Sequence, residues 1–78
     1  MTKTNKQKLA CGALKAYFGF APAREKIILL ESYESKYVAE YLMFEVEGSK
    51  IQYQINLRHS DYSFEVDGLH YEMNIINE

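Results

Sequence analysis

Residues 41–58 have the sequence YLMFEVEGSKIQYQINLR, in which apolar and polar side chains alternate on both sides of Gly48-Ser49. A period of two is typical of strands that have one buried and one exposed face. A two-residue loop at Gly48-Ser49 would close a hairpin whose outer face places Glu47 opposite Lys50. On the inner face, the same register pairs Val46 with Ile51, Phe44 with Tyr53 and Leu42 with Ile55. The segment therefore predicts an antiparallel hairpin with an apolar inner face.

A second hairpin is indicated by Asp67-Gly68. This dipeptide is favoured in type I′ turns, in which both central residues have a positive φ. The turn pairs Val66 with Leu69, Phe64 with Tyr71 and Tyr62 with Met73. Residues 58–61 (RHSD) form a polar connector between the hairpins. We therefore expect residues 41–76 to form four strands of an antiparallel meander.

The N-terminal segment has helical rather than strand periodicity. One apolar stripe at helical spacing consists of Ala10, Ala13, Leu14, Tyr17 and Phe18. Thr4 or Asn5 can cap its start, and Gly19 can adopt the left-handed conformation that ends a helix. Pro22 prevents a simple continuation. The segment therefore predicts an amphipathic helix over residues 4–18.

Residues 27–30 (IILL) are each β-branched or apolar and predict a first strand, with a turn near residues 34–36. No Gly or Pro occurs between Pro22 and Gly48, so a second helix over residues 23–38 is an alternative. The predicted fold class is α+β, with one helix on one face of a four- or five-stranded antiparallel meander. The alternative is two helices followed by four antiparallel strands.

The chain is long enough for one small domain, in which the helix occupies residues 4–18 and the sheet residues 26–76. Its 78 residues are 47% hydrophobic and 26% charged, which excludes disordered and fibrous classes. Cys11 is the only cysteine, so the internal disulfides on which small secreted domains depend are excluded. Lys15 interrupts the one stretch that resembles a signal peptide. We therefore expect a cytoplasmic protein with no membrane partner.

The candidate catalytic and metal-binding residues do not form a convincing site. His59, Ser60 and Asp61 are the residue types of a hydrolytic triad, but neighbours on one short connector cannot converge in the required orientation. The candidate metal ligands His59, His70 and Cys11 belong to different predicted elements. We therefore expect no enzyme activity, no cofactor, no metal and no small-molecule substrate.

Charge is segregated along the chain. Residues 1–26 have a net charge of +5, whereas residues 27–78 have a net charge of −7. Lys6, Lys8 and Lys15 make the basic helix a candidate for contacts with phosphates. Nucleic-acid binding through these lysines is the alternative function. It is disfavoured because the helix's aromatic residues belong to the stripe that must cover the sheet.

The predicted sheet has an unfinished outer face. Tyr41 and Met43 point away from the helix if Leu42 and Phe44 point toward it. Two of residues 27–30 in the first strand lie on the same outer face. Because these four residues are all apolar, and a continuous apolar run in a strand indicates burial on both faces, the outer face is expected to be covered. One helix covers only one face, so the other is either a binding surface or is buried by curling of the sheet. The predicted protein-binding residues are Ile28, Leu30, Tyr41, Met43, Glu45 and Glu47.

These features predict a small module that binds proteins and does no chemistry. It would act through the outer face of the sheet, by homodimerisation or by capture of another protein. One specific form of this hypothesis is an acidic inhibitor that occupies a basic groove of a nucleic-acid-processing protein.

Overall fold

A computed structural model describes residues 2–33, 41–57 and 64–77, which pack around one apolar core. Helix α1 spans Lys3–Phe18, and the strands are β1 (Ile27–Tyr33), β2 (Tyr41–Val46), β3 (Gln52–Asn56), β4 (Phe64–Val66) and β5 (Leu69–Asn77). A short 3₁₀ helix, Arg24–Lys26, precedes β1. The predicted α+β class, with one helix packed on an antiparallel sheet, is confirmed. The alternative with a second helix is wrong, because β1 lies where that helix was expected.

The strand order is β1-β2-β3-β5-β4, which differs from a simple meander in its last two strands. A meander would place β4 beside β3. Instead, residues 69–71 of β5 pair with β4, and residues 72–77 pair with β3. The nine-residue β5 extends well past the three-residue β4, so its second half is available to β3. The connector at residues 58–61 and the pairing of Tyr62 lie outside the described residues.

The inner-face registers of both hairpins are confirmed. The predicted pairs that the structure contains are Leu42 with Ile55, Phe44 with Tyr53, Val66 with Leu69 and Phe64 with Tyr71. Asp67 and Gly68 both have a positive φ, 52° and 81°, as a type I′ turn requires. The predicted pair of Val46 with Ile51 is not part of this ladder, because β3 begins at Gln52 and the pairing of β2 with β3 ends at Glu45 and Gln52. Turn chemistry and alternation were therefore sufficient to predict the register within each hairpin, but not the order of the strands in the sheet.

The turn between β2 and β3 differs in detail from the predicted two-residue loop. The backbone N–H of Ser49 donates to the carbonyl of Val46 at 2.9 Å. Glu47 contacts Lys26 rather than Lys50: its N–H donates to the Lys26 carbonyl at 2.8 Å, and its Oε1 lies 3.6 Å from Lys26 Nζ. Glu47 therefore joins this turn to the start of β1.

Helix α1 begins one residue earlier than predicted because its N-cap is Thr2. The Thr2 Oγ1 accepts the N–H of Asn5 at 3.1 Å, so the predicted caps Thr4 and Asn5 lie inside the helix. The predicted end is confirmed. Gly19 has a φ of 88° and donates its N–H to the Lys15 carbonyl at 2.8 Å.

The core lies between α1 and the inner face of the sheet. Its buried side chains are Leu9, Ala10, Ala13, Leu14, Ile27, Leu42, Phe44, Tyr53, Ile55, Phe64, Tyr71 and Met73. The helix contacts both β1 and β4, which are the edge strands, so the inner face is covered from edge to edge. The outer face therefore has no covering layer among the described residues.

Two helix residues show how closely α1 approaches the β4 side of the sheet. A Cβ atom added at Gly12 would lie 2.7 Å from Cγ2 of Val66, so only glycine fits there without movement. Tyr17 packs edge-on against Phe64 at 6.0 Å, and its hydroxyl oxygen accepts the backbone N–H of Met73 at 3.0 Å. Tyr17 is 40% exposed and thus borders the core rather than filling it.

Candidate protein-binding surfaces

The outer face of the sheet is defined by three rows of paired residues on the side opposite α1. From β1 toward β5, the rows are Ile28-Glu45-Gln52, Glu31-Met43-Gln54-Asn74 and Tyr33-Tyr41-Asn56-Glu72. Directly paired residues of antiparallel strands point to the same face. None of these side chains is buried, whereas the inner face of the same strands forms the core. The patch is therefore not core, and curling of the sheet does not bury it.

Four of the six predicted binding residues, Ile28, Tyr41, Met43 and Glu45, lie together on this outer face. Leu30 has no partner in β2, because it is the extra residue of a β-bulge, and it is 41% exposed. Glu47 lies in the β2–β3 turn and contacts Lys26. The structure thus assembles the centre of the predicted surface and separates Glu47 from it.

Tyr33 and Glu31 belong to the outer face but were not predicted. The bulge at Leu30 shifts the alternation of β1 by one position, so Tyr33 faces outward and stacks on Tyr41 with ring centroids 6.4 Å apart. The Tyr41 hydroxyl donates to Glu31 Oε1 at 2.5 Å. This hydrogen bond, with desolvation adding to it, raises the pKa of Tyr41 above its ordinary value. The sequence pattern gave no signal for the bulge.

The outer face has carboxylates and no described lysine or arginine. Glu31, Glu45 and Glu72 occupy its rows, and their neighbours there are amide, aromatic and apolar side chains. The described basic residues are Lys3, Lys6, Lys8 and Lys15 of α1, Arg24 and Lys26 before β1, and Lys50 after the β2–β3 turn. The charge segregation along the chain therefore becomes a segregation in space. The outer face of the sheet is acidic, and most of the described basic residues lie on α1 or between α1 and β1.

Two of the three candidate nucleic-acid-binding lysines have partners within the chain. Lys6 Nζ donates to Ser32 Oγ at 2.8 Å, and Lys8 Nζ lies 2.9 Å from Oδ2 of Asp67. Lys15 lies in the last turn of the helix and is exposed. Phosphate contacts by Lys6 and Lys8 would therefore compete with contacts that already exist.

A second surface, which we name the apolar groove, was missed by the sequence analysis. It has a volume of about 410 Å³ and is lined by Leu14, Phe18, Phe20, Pro22, Val46, Ser49 and Tyr53. Phe20 is 74% exposed, the highest exposure among the large hydrophobic side chains described. One feature of the sequence could have indicated this groove. Phe20 is an aromatic residue between Gly19 and Pro22, where neither helix nor strand periodicity requires one.

Both walls of the apolar groove are held by hydrogen bonds. The Cys11 thiol donates to the carbonyl of Pro22, with 3.6 Å between Sγ and O. Burial raises the pKa of the Cys11 thiol, so it keeps its proton at neutral pH. On the other wall, Ser49 Oγ accepts the N–H of Ile51 at 3.2 Å.

The part of the chain that the structure describes contains no group of three or more His, Cys, Asp or Glu residues able to hold a metal ion. His70 pairs with Glu65 between β5 and β4, whereas Cys11 lies on α1, so these two residues belong to separate elements. The triad residues His59, Ser60 and Asp61 lie outside the described residues. Within residues 2–33, 41–57 and 64–77, no helix is long and apolar enough to cross a membrane.

Comparison of the chain with known protein families, with curated proteins and with solved structures gave no match. Function is therefore inferred from the outer face and the apolar groove alone.

Proposed function

We propose that this chain is a small, non-catalytic, cytoplasmic protein-binding module that acts through its outer face. The observation that supports this function is the composition of the face. Tyr33, Tyr41 and Met43 form an aromatic and apolar centre, and Glu31 and Glu45 lie among them. Aromatic residues and methionine are enriched at interface cores, where they supply large contact areas.

The charge of the outer face favours a basic partner. A surface with arginine or lysine would complement Glu31, Glu45 and Glu72, and it would be attracted from a distance at low ionic strength. A guanidinium group can also stack on an exposed tyrosine ring such as that of Tyr33. A basic groove of a nucleic-acid-processing protein has this chemistry, so the inhibitor hypothesis is the most specific form of the proposal.

The same charge disfavours a homodimer that uses only this face. In a two-fold dimer, identical patches meet, so Glu31, Glu45 and Glu72 of one copy would approach those of the other. No described lysine or arginine of the outer face would neutralise them. Another protein is therefore the preferred occupant over a second copy.

The test compares proteins captured from the source cell by the wild-type chain and by three variants. Met43→Glu and Tyr41→Glu place a charge in the apolar centre, which an interface cannot desolvate cheaply. Leu69→Glu is the matched control, because Leu69 is 55% exposed in the β4–β5 hairpin and is not part of the three rows. Circular dichroism checks that all variants fold.

We expect one basic partner to be retained by the wild type and by Leu69→Glu, but lost with Met43→Glu and Tyr41→Glu. Its affinity for the purified chain, measured by calorimetry, should fall as salt is added. A partner that binds Met43→Glu as tightly as the wild type would contradict the proposal.

An electrophoretic shift assay with single- and double-stranded nucleic acid at low salt tests the alternative function. We expect no shift. A salt-sensitive shift that survives Tyr41→Glu and is lost when Lys6, Lys8 and Lys15 are replaced by Gln would assign function to the basic helix instead.

A further inference from the structure

The apolar groove lies at the end of the molecule where α1 ends and β2 turns into β3. Leu14 and Tyr53 are core residues at its base, and Phe18 and Phe20 border it. Every residue from 14 to 26 and from 46 to 53 is described, so the segments that supply the described lining are continuous. It is separate from the outer face, because Tyr53 belongs to the inner face of β3.

The aromatic residues of the groove form a chain from core to solvent. Tyr53 stacks on Phe44 at 5.1 Å, and Phe18 packs edge-on against Tyr53 at 6.2 Å. The contact with Tyr53 keeps the ring of Phe18 in place, although Phe18 is 48% exposed. Phe20 has no ring contact among the described residues and is 74% exposed. Its side chain therefore contributes little of the stabilisation that burial of a phenylalanine provides. Together with Phe18, Phe20 borders one apolar groove, and a contiguous exposed apolar patch is typical of a surface that a partner covers.

The area that the two exposed phenylalanines of the groove offer favours a short segment over a folded subunit. With ~200 Å² for a phenylalanine side chain, the exposed fractions of Phe18 and Phe20 amount to roughly 250 Å². A standard interface needs about 800 Å² from each partner, which is about three times as much. The volume of about 410 Å³ is nevertheless sufficient for a large apolar side chain.

The charge around the groove is positive. Lys15, Arg24 and Lys50 make no ion pair with another described residue, whereas Lys26 and Glu47 lie 3.6 Å apart and neutralise each other. Arg24 and Glu25 both lie near Cys11, where Arg24 lowers and Glu25 raises the pKa of the thiol, so both charges lie beside the helix. The carboxyl end of α1 contributes only about half a negative charge, less than these cations even after Glu25 is counted.

We propose that the apolar groove binds a short acidic peptide segment. The segment inserts a large apolar side chain against Phe18 and Phe20, and its carboxylates lie near Lys15 and Lys50. Apolar contact supplies most of the affinity, and the cations select the sign of the flanking charge.

The test uses three blocked hexapeptides, acetyl-EDLFED-amide, acetyl-KKLFKK-amide and acetyl-EDSSED-amide, titrated into the ¹⁵N-labelled full chain. The second peptide keeps the apolar residues and reverses the charge, and the third keeps the charge and removes the apolar residues. We expect saturable shifts of the Gly19, Ser49 and Ile51 amides with the first peptide, weaker binding of the second peptide, and no saturable shift with the third. Phe20→Ser should weaken that binding at least about tenfold, because an apolar anchor at a binding site is lost.

The controls separate this site from the outer face. Lys15→Gln combined with Lys50→Gln should weaken binding a few-fold and reduce its salt dependence. Leu69→Ser and Met43→Glu should not change the affinity, so loss of outer-face function leaves this result intact. Phe20 is mostly exposed, so circular dichroism should show Phe20→Ser to be folded.

Several outcomes would overturn the proposal. These are equal binding of the basic peptide, no saturable shift at millimolar acidic peptide, and shifts that map to Met43 and Tyr41 instead. Sedimentation could give a further outcome that overturns the proposal. A dimer that dissociates on Phe20→Ser would assign the groove to a second copy of the chain.

Discussion

The inner and outer faces of the sheet are built from the same strands, yet one is core and the other is open. In β2, Leu42 and Phe44 are fully buried, whereas Tyr41 and Met43 are only partly covered by their neighbours. Both faces contain aromatic and apolar residues, so hydrophobicity alone does not distinguish them. The difference arises because α1 covers one face from edge to edge.

The two faces also use tyrosine differently. On the inner face, Tyr71 packs against Phe64 at 5.7 Å and is 7% exposed. On the outer face, Tyr41 stacks on Tyr33, and its hydroxyl donates to Glu31. The inner contact stabilises the fold, whereas the outer contact orders side chains of the surface that we propose as the binding site.

The largest expected effect is the contrast between Phe44→Ala and Met43→Ala, which change adjacent residues that face opposite ways. Phe44→Ala should cost about 3–5 kcal/mol of unfolding free energy, because it removes a fully buried ring and leaves a cavity. Met43→Ala should cost less than ~1.5 kcal/mol, since its site is open to water. Urea denaturation followed by circular dichroism measures both.

Phe44→Leu is the milder companion for the case that Phe44→Ala does not fold, since a domain of this size has only a few kcal/mol of stability. It should still be less stable than Met43→Ala. Equal losses at the two positions would mean that the outer face is covered as the inner one is.

A smaller effect is expected from Gly12→Ala, which tests how closely the helix covers the inner face. Alanine favours helix over glycine by about 1 kcal/mol, but its Cβ would lie 2.7 Å from Val66 Cγ2. Overpacking of this kind costs about 1–3 kcal/mol, so a net loss of about 1 kcal/mol is expected in thermal or urea unfolding.

Val66→Ala supplies the control for this prediction, because it removes the methyl group that the new Cβ meets. In the Gly12→Ala background, Val66→Ala should cost at least about 1 kcal/mol less than it costs alone. If Gly12→Ala instead stabilises the protein by the full helix-propensity gain, the helix does not approach β4 as closely as described.

The smallest expected effect is the response to alkaline pH. Burial, with the Asp67 carboxylate adding to it, raises the pKa of Tyr71 above its ordinary value. The folded state therefore favours the neutral phenol. This stability is fully present below the pKa of an unfolded tyrosine, about 10, and is lost as the pH rises through the folded value.

Tyr71→Phe should therefore flatten the fall of unfolding free energy above pH 10. Tyr41→Phe should flatten it less, because the Tyr41 pKa is raised chiefly by the hydrogen bond to Glu31 on an open face. Urea titrations at several pH values measure both slopes. A larger change with Tyr41→Phe would show that the outer-face hydrogen bond stabilises the fold more than burial of Tyr71 does.

Local features of the sequence were sufficient to predict the helix, the two hairpins and their inner-face registers. Gly19 ends the helix and Asp67-Gly68 closes the second hairpin with the positive φ values that their residue types favour. The alternation through residues 41–57 then determines which side chains share a face, since a shift by one residue would turn every apolar group outward. Tyr41, Met43 and Glu45 could be assigned to the outer face on this basis, whereas alternation alone left open which two of residues 27–30 join them.

Tertiary structure alone decided the features that depend on contacts between distant segments. The placement of β5 beside β3, the bulge that turns Tyr33 outward, and the attachment of Glu47 to Lys26 each involve partners from different elements. The apolar groove likewise needs the helix end, the loop that contains Phe20 and the β2–β3 turn to meet. Alternation and turn chemistry act over a few residues, whereas these contacts exist only after α1 and the five strands have packed against each other.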